Sequence, residues 1–189
     1  MSRILFITQP EVDHDPATPV AEWELTDAGR EAIGRWAEGA EARDVRAVWS
    51  GRERGAADAG AILARALGVR AQQLEQLADT DRAATGYLPP ELFEPAVQAF
   101  FRDPLLSHRG WETAAAAQER IADALETVIA RSPGEGDVAI VSHGSPGALL
   151  RSHLLGVPIT RAEEPPGQGH WFAFDRETRE LLTGWAPLG

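Results

Sequence analysis

The sequence predicts an α/β protein, a three-layer α/β/α sandwich around a mainly parallel central sheet. Short runs of apolar and β-branched residues alternate along the chain with longer segments of helical period, the signature of strand–helix–strand units. Turns of small residues follow two of the strand-like runs, Ser50-Gly51 after residues 45–49 and Ser142-His143-Gly144-Ser145-Pro146-Gly147 after residues 137–141. At 189 residues the chain suits one domain with a substantial core, here taken as residues 1–189 with an inserted lid at about 78–110.

Residues 3–7 (RILFI) form an apolar run at the N-terminus and predict the first strand, followed by an Asp- and Pro-rich loop. Thr26 reads as an N-cap, with Ala28, Ala32, Ile33 and Trp36 on one helical face up to about Ala40. Residues 45–49 predict a second strand. A helix then opens near Ser50-Gly51, with Ala57, Ala61, Ile62 and Leu67 expected inward and Gly68 past its end. Residues 69–77 read as a weaker third strand. The loop 78–90 carries Asp79, Asp81, Arg82 and Tyr87, and residues 90–101 predict a helix with Leu92, Phe93, Val97, Phe100 and Phe101 on its apolar side. A long helix is expected over 111–131, ended by Pro133-Gly134 before the strand at Asp137, and another over 146–155. Residues 170–174 alternate as a strand, with 179–185 able to pair with it as a hairpin.

The net charge of -11 argues against nucleic acid or an anionic membrane as the main partner. All 18 basic residues are Arg, a good phosphate clamp by its planar fork, although so uniform a bias points first to genome composition. With no Cys, thiolate nucleophiles, disulfides and Cys-based metal sites are excluded. No apolar run approaches a membrane span and the first residues lead straight into a strand, so a cytoplasmic protein is expected. Asp13-His14-Asp15 could suggest a metal, but three adjacent residues of an extended loop cannot converge on one ion, and neither metal nor cofactor is expected.

The stretch DVAIVSHGSPGALL (residues 137–150) carries the strongest signal. A loop of small residues between a strand end and a helix start gathers backbone N–H groups at a positive helix end, which favours an anion. His143 at that tip is a candidate for site chemistry, and Gly144 and Ser145 can present N–H groups to the same ligand; the plainer alternative is a histidine that only ends the strand.

Five fragments, ITQPEV, VWSGRERGAADAGAILARALG, LADTDRAATGYLPPELF, RGWETAAAAQER and VAIVSHGSPG, resemble in order the histidine phosphatase (phosphoglycerate mutase-like) superfamily. The resemblance spans nearly the whole chain. It implies that fold and a reaction in which a histidine at the first strand tip attacks phosphorus. Arg side chains and a second histidine neutralise the oxygens while a carboxylic acid protonates the leaving group, and no metal is needed.

The nucleophile's place holds Gln9, whose carboxamide has no lone pair available for attack and can only hydrogen-bond. The neighbouring Arg and Gly of the motif are replaced by Thr8 and Pro10, and Glu11 is expected to hold backbone or Arg groups. Counting from Ser50, the family's basic position falls on Gly55, with Arg52 and Arg54 nearby; Arg54 is taken as the phosphate clamp, the alternative being a surface Arg. Asp79 falls where the family often has its acid, and Arg82 beside it joins the phosphate-binding set with Thr8, Arg54, Gly144 and Ser145, or pairs with Asp81. Glu112, Thr113 and Arg120 resemble a pattern linking the long helix to the pocket, or are an exposed pair.

Three functions follow as expectations. In the first, the pocket binds a small phosphorylated or other anionic ligand but has lost phosphohistidine chemistry. In the second, His143 works as acid–base or nucleophile with Asp79. In the third, Gln9 is a substitution introduced into an otherwise active phosphatase. A Ser145 nucleophile elbow fails because His143 stands where a glycine is required. The oligomeric state stays open, a homodimer included.

Overall fold

The computed structural model describes residues 2–189. Its elements run β1 (Arg3–Thr8), α1 (Asp27–Glu38), β2 (Val45–Ser50), α2 (Arg54–Leu67), β3 (Ala71–Gln73), α3 (Pro90–Arg102), α4 (Ala114–Arg131), β4 (Asp137–Ser142), α5 (Gly144–Leu155), β5 (His170–Asp175) and β6 (Ala186–Pro187). The six strands make one sheet in the order β3-β2-β4-β1-β5-β6. β3, β2, β4 and β1 are mutually parallel, whereas β5 runs antiparallel to both of its neighbours.

Strand period does the sorting between layers. Along β1, Leu5 and Ile7 face the layer of α1 and α2, where they meet Ile33, Trp36, Ala56, Ala59 and Leu63. Ile4 and Phe6 face the other layer, packed with Phe100, Ala117, Ile121, Leu125 and Leu149 of α3, α4 and α5. The sheet is thus covered on both sides, which is why β1 and β4 read as near-continuous apolar runs. Gly147 lets α5 approach this closely: a Cβ there would lie 2.8 Å from the Trp185 ring and 3.0 Å from Phe6.

Local signals hold at the caps. The Thr26 hydroxyl accepts from the Gly29 N–H at 3.0 Å, and Gly68 ends α2 in the left-handed region at φ 66. Several expectations are corrected. The buried stripe of α2 is Gly55, Ala56, Ala59, Gly60, Leu63 and Ala64; Ile62 and Leu67 pack half-buried beside it as expected, whereas Ala61 faces solvent. In α1, Gly29 and Ala37 join Ile33 and Trp36 while Ala28 is exposed. An alanine-rich helix offers nearly the same apolar pattern on adjacent faces, so small residues cannot by themselves choose between them. The third strand is only Ala71–Gln73, and the expected strand at 179–185 is reduced to a Phe174–Leu181 bridge. Besides β1, β5 pairs with Ala186–Pro187. Within 78–110, α3 buries Ala96, Val97, Phe100 and Phe101 against the core.

Candidate functional site

β1, β2 and β4 are neighbours in the sheet, so their carboxyl ends bring Gln9, the Ser50–Glu53 turn and His143 to one edge. The Gln9 N–H donates to the Ser142 carbonyl at 2.7 Å, and its carbonyl accepts from the Gly169 N–H at 3.1 Å, which pins the backbone at the tip of β1. Its carboxamide lies over the first turn of α2. A Cβ on Gly55 would sit 2.7 Å from Gln9 Oε1, so the absent side chain at 55 makes the room that Gln9 uses. The two departures noted in the sequence are one packing event.

His143 stands just ahead of α5 in extended backbone, its ring 92% buried. Its Nε2 faces Glu53 Oε1 at 3.4 Å, an ion-pair distance rather than a well-formed hydrogen bond. Glu53 occupies the residue before α2 and does not cap its own helix. Its Oε1 accepts instead from the Asp79 N–H at 2.7 Å. Its Oε2 is buried and has no donor among the described residues, lodged against Gly51, where a Cβ would come within 2.5 Å.

Burial opposes both charges, yet the pair overcomes it. For Glu53, burial pushes the carboxyl up, but His143 and the Asp79 N–H hold it well below the usual range, at about 2. For His143, burial lowers the imidazole, but the carboxylates of Asp79 and Glu53 outweigh burial and Arg82 together, and the net direction is up. Both shifts run in the direction that favours a charged pair across this edge.

Asp79 accepts from the Thr80 N–H and meets Arg82 at 3.3 Å, so Arg82 pairs with Asp79 and not with Asp81. The Arg82 guanidinium also lies 4.8 Å from the Phe93 ring centre. Arg82, Asp79, Thr80, Phe93, Trp111 and Ser145 line a cleft of about 40 Å³ between the site and α3. The loop carrying Asp79 is held from behind. Arg120 forks onto Glu112 at 2.8 and 2.9 Å and donates to the carbonyls of Gln76, Ala78 and Asp79. Ser142 Oγ adds a buried bond to the Leu77 carbonyl at 2.7 Å. The Glu112–Arg120 link is therefore a structural brace.

Other expected site residues are engaged elsewhere. The Thr8 hydroxyl accepts from the His170 N–H at 3.0 Å and is directed at the His170 carbonyl, so it offers no free donor to a ligand. Arg54 pairs with Glu24 at 3.0 Å and more loosely with Asp58, while Arg52 pairs with Glu75. Glu11 accepts from the Thr26 hydroxyl and holds no Arg. Gly144 and Ser145 form the first turn of α5, where their N–H groups lack helical partners, as expected of an anion-friendly helix end. Asp15 accepts from the Thr18 hydroxyl and His14 packs at a tilt against Trp23, and among the described residues no group of three His, Asp or Glu side chains gathers to hold a metal ion. No described helix is long and apolar enough to cross a membrane.

Sequence reasoning missed Glu53, which sits between Arg52 and Arg54. The available signal was a carboxylate two residues past Gly51, at the small-residue turn of a strand tip.

The profile of the family described as histidine phosphatase superfamily, branch 1, matches residues 15–180. No curated protein matches the sequence. Among solved structures, mycobacterial glucosyl-3-phosphoglycerate phosphatase with inorganic phosphate is similar at 20% identity and TM-score 0.79, over 98% of this chain and 95% of that one. Bacillus stearothermophilus YhfR is similar at 18% identity and TM-score 0.79, over 97% and 95%. A His-to-Ala mutant of Entamoeba histolytica phosphoserine phosphatase in complex with phosphoserine is similar at 15% identity and TM-score 0.77, over 97% and 96%. At these identities the likeness is one of fold.

Proposed function

Since the chain belongs to the histidine phosphatase superfamily, we propose that it is a binding member of that family, one that takes a small phosphorylated or otherwise anionic ligand and does not form phosphohistidine. The observation that carries the reading is the seating of the Gln9 carboxamide against Gly55 at the tip of β1. A carboxamide there can donate or accept a hydrogen bond but cannot attack phosphorus. His143, the Gly144 and Ser145 N–H groups and the Arg82 guanidinium remain as groups that favour an anion. A His-to-Ala mutant of a phosphatase of this fold holds phosphoserine, which agrees with a pocket that binds a phosphorylated ligand after a histidine is lost.

His143 does not replace the lost nucleophile. Its Nε2 faces the Glu53 carboxylate, and the charges of Asp79 and Glu53 raise the imidazole, which favours a proton on the nitrogen that would have to attack. Proton donation is the chemistry left to it.

The test is an assay of the purified protein on a panel of phosphomonoesters without metal, beside Gln9→His and His143→Ala, with acid-quenched samples probed for phosphohistidine. Loss of a nucleophile costs on the order of 10⁴ to 10⁶ in rate. The unmodified protein is therefore expected to be silent while Gln9→His gives a labelled phosphoenzyme. Turnover by the unmodified protein at an ordinary rate of about 10 s⁻¹, abolished in His143→Ala, would sink the binding reading.

A further inference from the structure

We propose that the anion seat beside His143 is filled from within: the Glu53 carboxylate is its resident anion, and an outside carboxylate or phosphate enters only by displacing it. The inference rests on the anion-pocket reading above and adds to it the internal contact that holds the pocket shut.

The geometry around Glu53 is that of a held anion. Its Oε1 lies 3.4 Å from His143 Nε2 and accepts from the Asp79 N–H at 2.7 Å, so a basic side chain and a backbone donor face one oxygen. The three residues come from three segments: the turn after β2, the loop after β3 and the turn after β4. Glu53 does not cap its own helix, so its carboxylate serves this edge alone.

Close packing shuts the seat. Nε2 of His143 and Oε2 of Glu53 are both out of reach of solvent. The cleft lined by Arg82, Phe93 and Ser145 includes neither residue in its walls. Two glycines make the room for this packing. A Cβ at Gly51 would come within 2.5 Å of Glu53 Oε2, and one at Gly55 within 2.7 Å of Gln9 Oε1. A ligand oxygen reaches Nε2 only if the carboxylate in front of it moves out.

Charge agrees with a resident anion. His143, Arg82 and Arg120 stand against Glu53, Asp79 and Glu112, three basic side chains and three acidic ones. Without Glu53 the balance is three against two while His143 is protonated, and a buried charge left unpaired favours an anion drawn from solution. The Glu53 side chain is 16% exposed, so the space it vacates opens to solvent.

The experiment uses Glu53→Ala, which deletes a CH2–COO− group, the size of acetate. Urea unfolding is followed in acetate and in its neutral isostere acetamide. Acetate is expected to raise the midpoint of Glu53→Ala in a saturable way and acetamide is not, while wild type responds alike to both. The imidazole NMR signals of His143 read the seat directly. Inorganic phosphate is expected to leave them in place in wild type and to move them in Glu53→Ala, with binding roughly tenfold or more tighter than to wild type. Acetate that stabilises Glu53→Ala no better than acetamide would overturn the inference. So would phosphate that moves the His143 signals of wild type, a result that needs no variant to fold. In either case, phosphate shifts at the Gly144 and Ser145 amides of wild type leave the anion pocket standing. If phosphate moves no signal at this edge in either protein, the anion-pocket reading falls as well.

Discussion

Replacing Glu53 by Gln removes a charge while keeping the side chain's shape, and the structure sets the size and pH dependence of the cost. At 3.4 Å, two unit charges attract by about 5 kcal/mol at an effective dielectric of about 20. Asp79 stays near His143 and the amide still reaches the Asp79 region. The expected loss is therefore about 3 kcal/mol, the lower end for a broken buried pair. The pH window follows from the two shifts. His143 is raised above its unfolded value of 6.5, so its contribution is complete below that value and is lost as pH rises through the folded one. Glu53 is lowered from 4.5 to about 2, so it contributes above 4.5 and loses only as pH falls toward 2. At pH 5.5 both contributions are complete, whereas raising the pH to 9.5 moves the wild-type pair toward discharge and brings the two proteins closer together. Urea unfolding followed by fluorescence of the six Trp residues is the assay. With a slope of about 2 kcal/mol/M, the midpoint of Glu53→Gln drops by about 1.5 M at pH 5.5 and by less at pH 9.5. Equal losses at both pH values, or none at pH 5.5, would refute the charged-pair account.

Three further outcomes follow from contacts already described. Arg120→Ala strips the Gln76, Ala78 and Asp79 carbonyls and the Glu112 carboxylate of their partner. It should cost about 3 kcal/mol, with hydrogen exchange at residues 76–81 accelerating ahead of the sheet. Gly147→Ala drives a methyl to within 2.8 Å of Trp185. A loss of about 2 kcal/mol, read as a melting-point drop of roughly 5 °C, is expected, and an unchanged melting point would show that α5 is free to shift. Gly55→Ala collides with Gln9 Oε1 at 2.7 Å and Val12 at 2.8 Å. It should cost about 1–2 kcal/mol, part of it recovered by Gln9→Ala in a double-mutant cycle; strict additivity would separate the two positions.

The sequence by itself determined the layering and one pole of the site. Apolar runs at 3–7 and 137–141 flanked by helical segments permit few other folds, since strands that read apolar on both faces need helices on both sides. Thr26 and Gly68 marked helix ends because capping is local chemistry. His143 was legible because a histidine at a small-residue strand–helix turn is itself a local pattern, and Gln9 because one missing lone pair removes a reaction.

Tertiary structure decided what those residues meet. Glu53 lies 90 residues from His143 in the chain, and only the adjacency of β2 and β4 brings the two carboxyl ends together. No period or spacing reports a contact of that kind. Gly55, which in the sequence reads as a lost basic residue, leaves the space that the Gln9 carboxamide fills. Thr8 and Arg54, whose chemistry suits a phosphate, are engaged by His170 and Glu24. A polar group's partner is fixed by three-dimensional proximity, and proximity is what the chain gains only on folding.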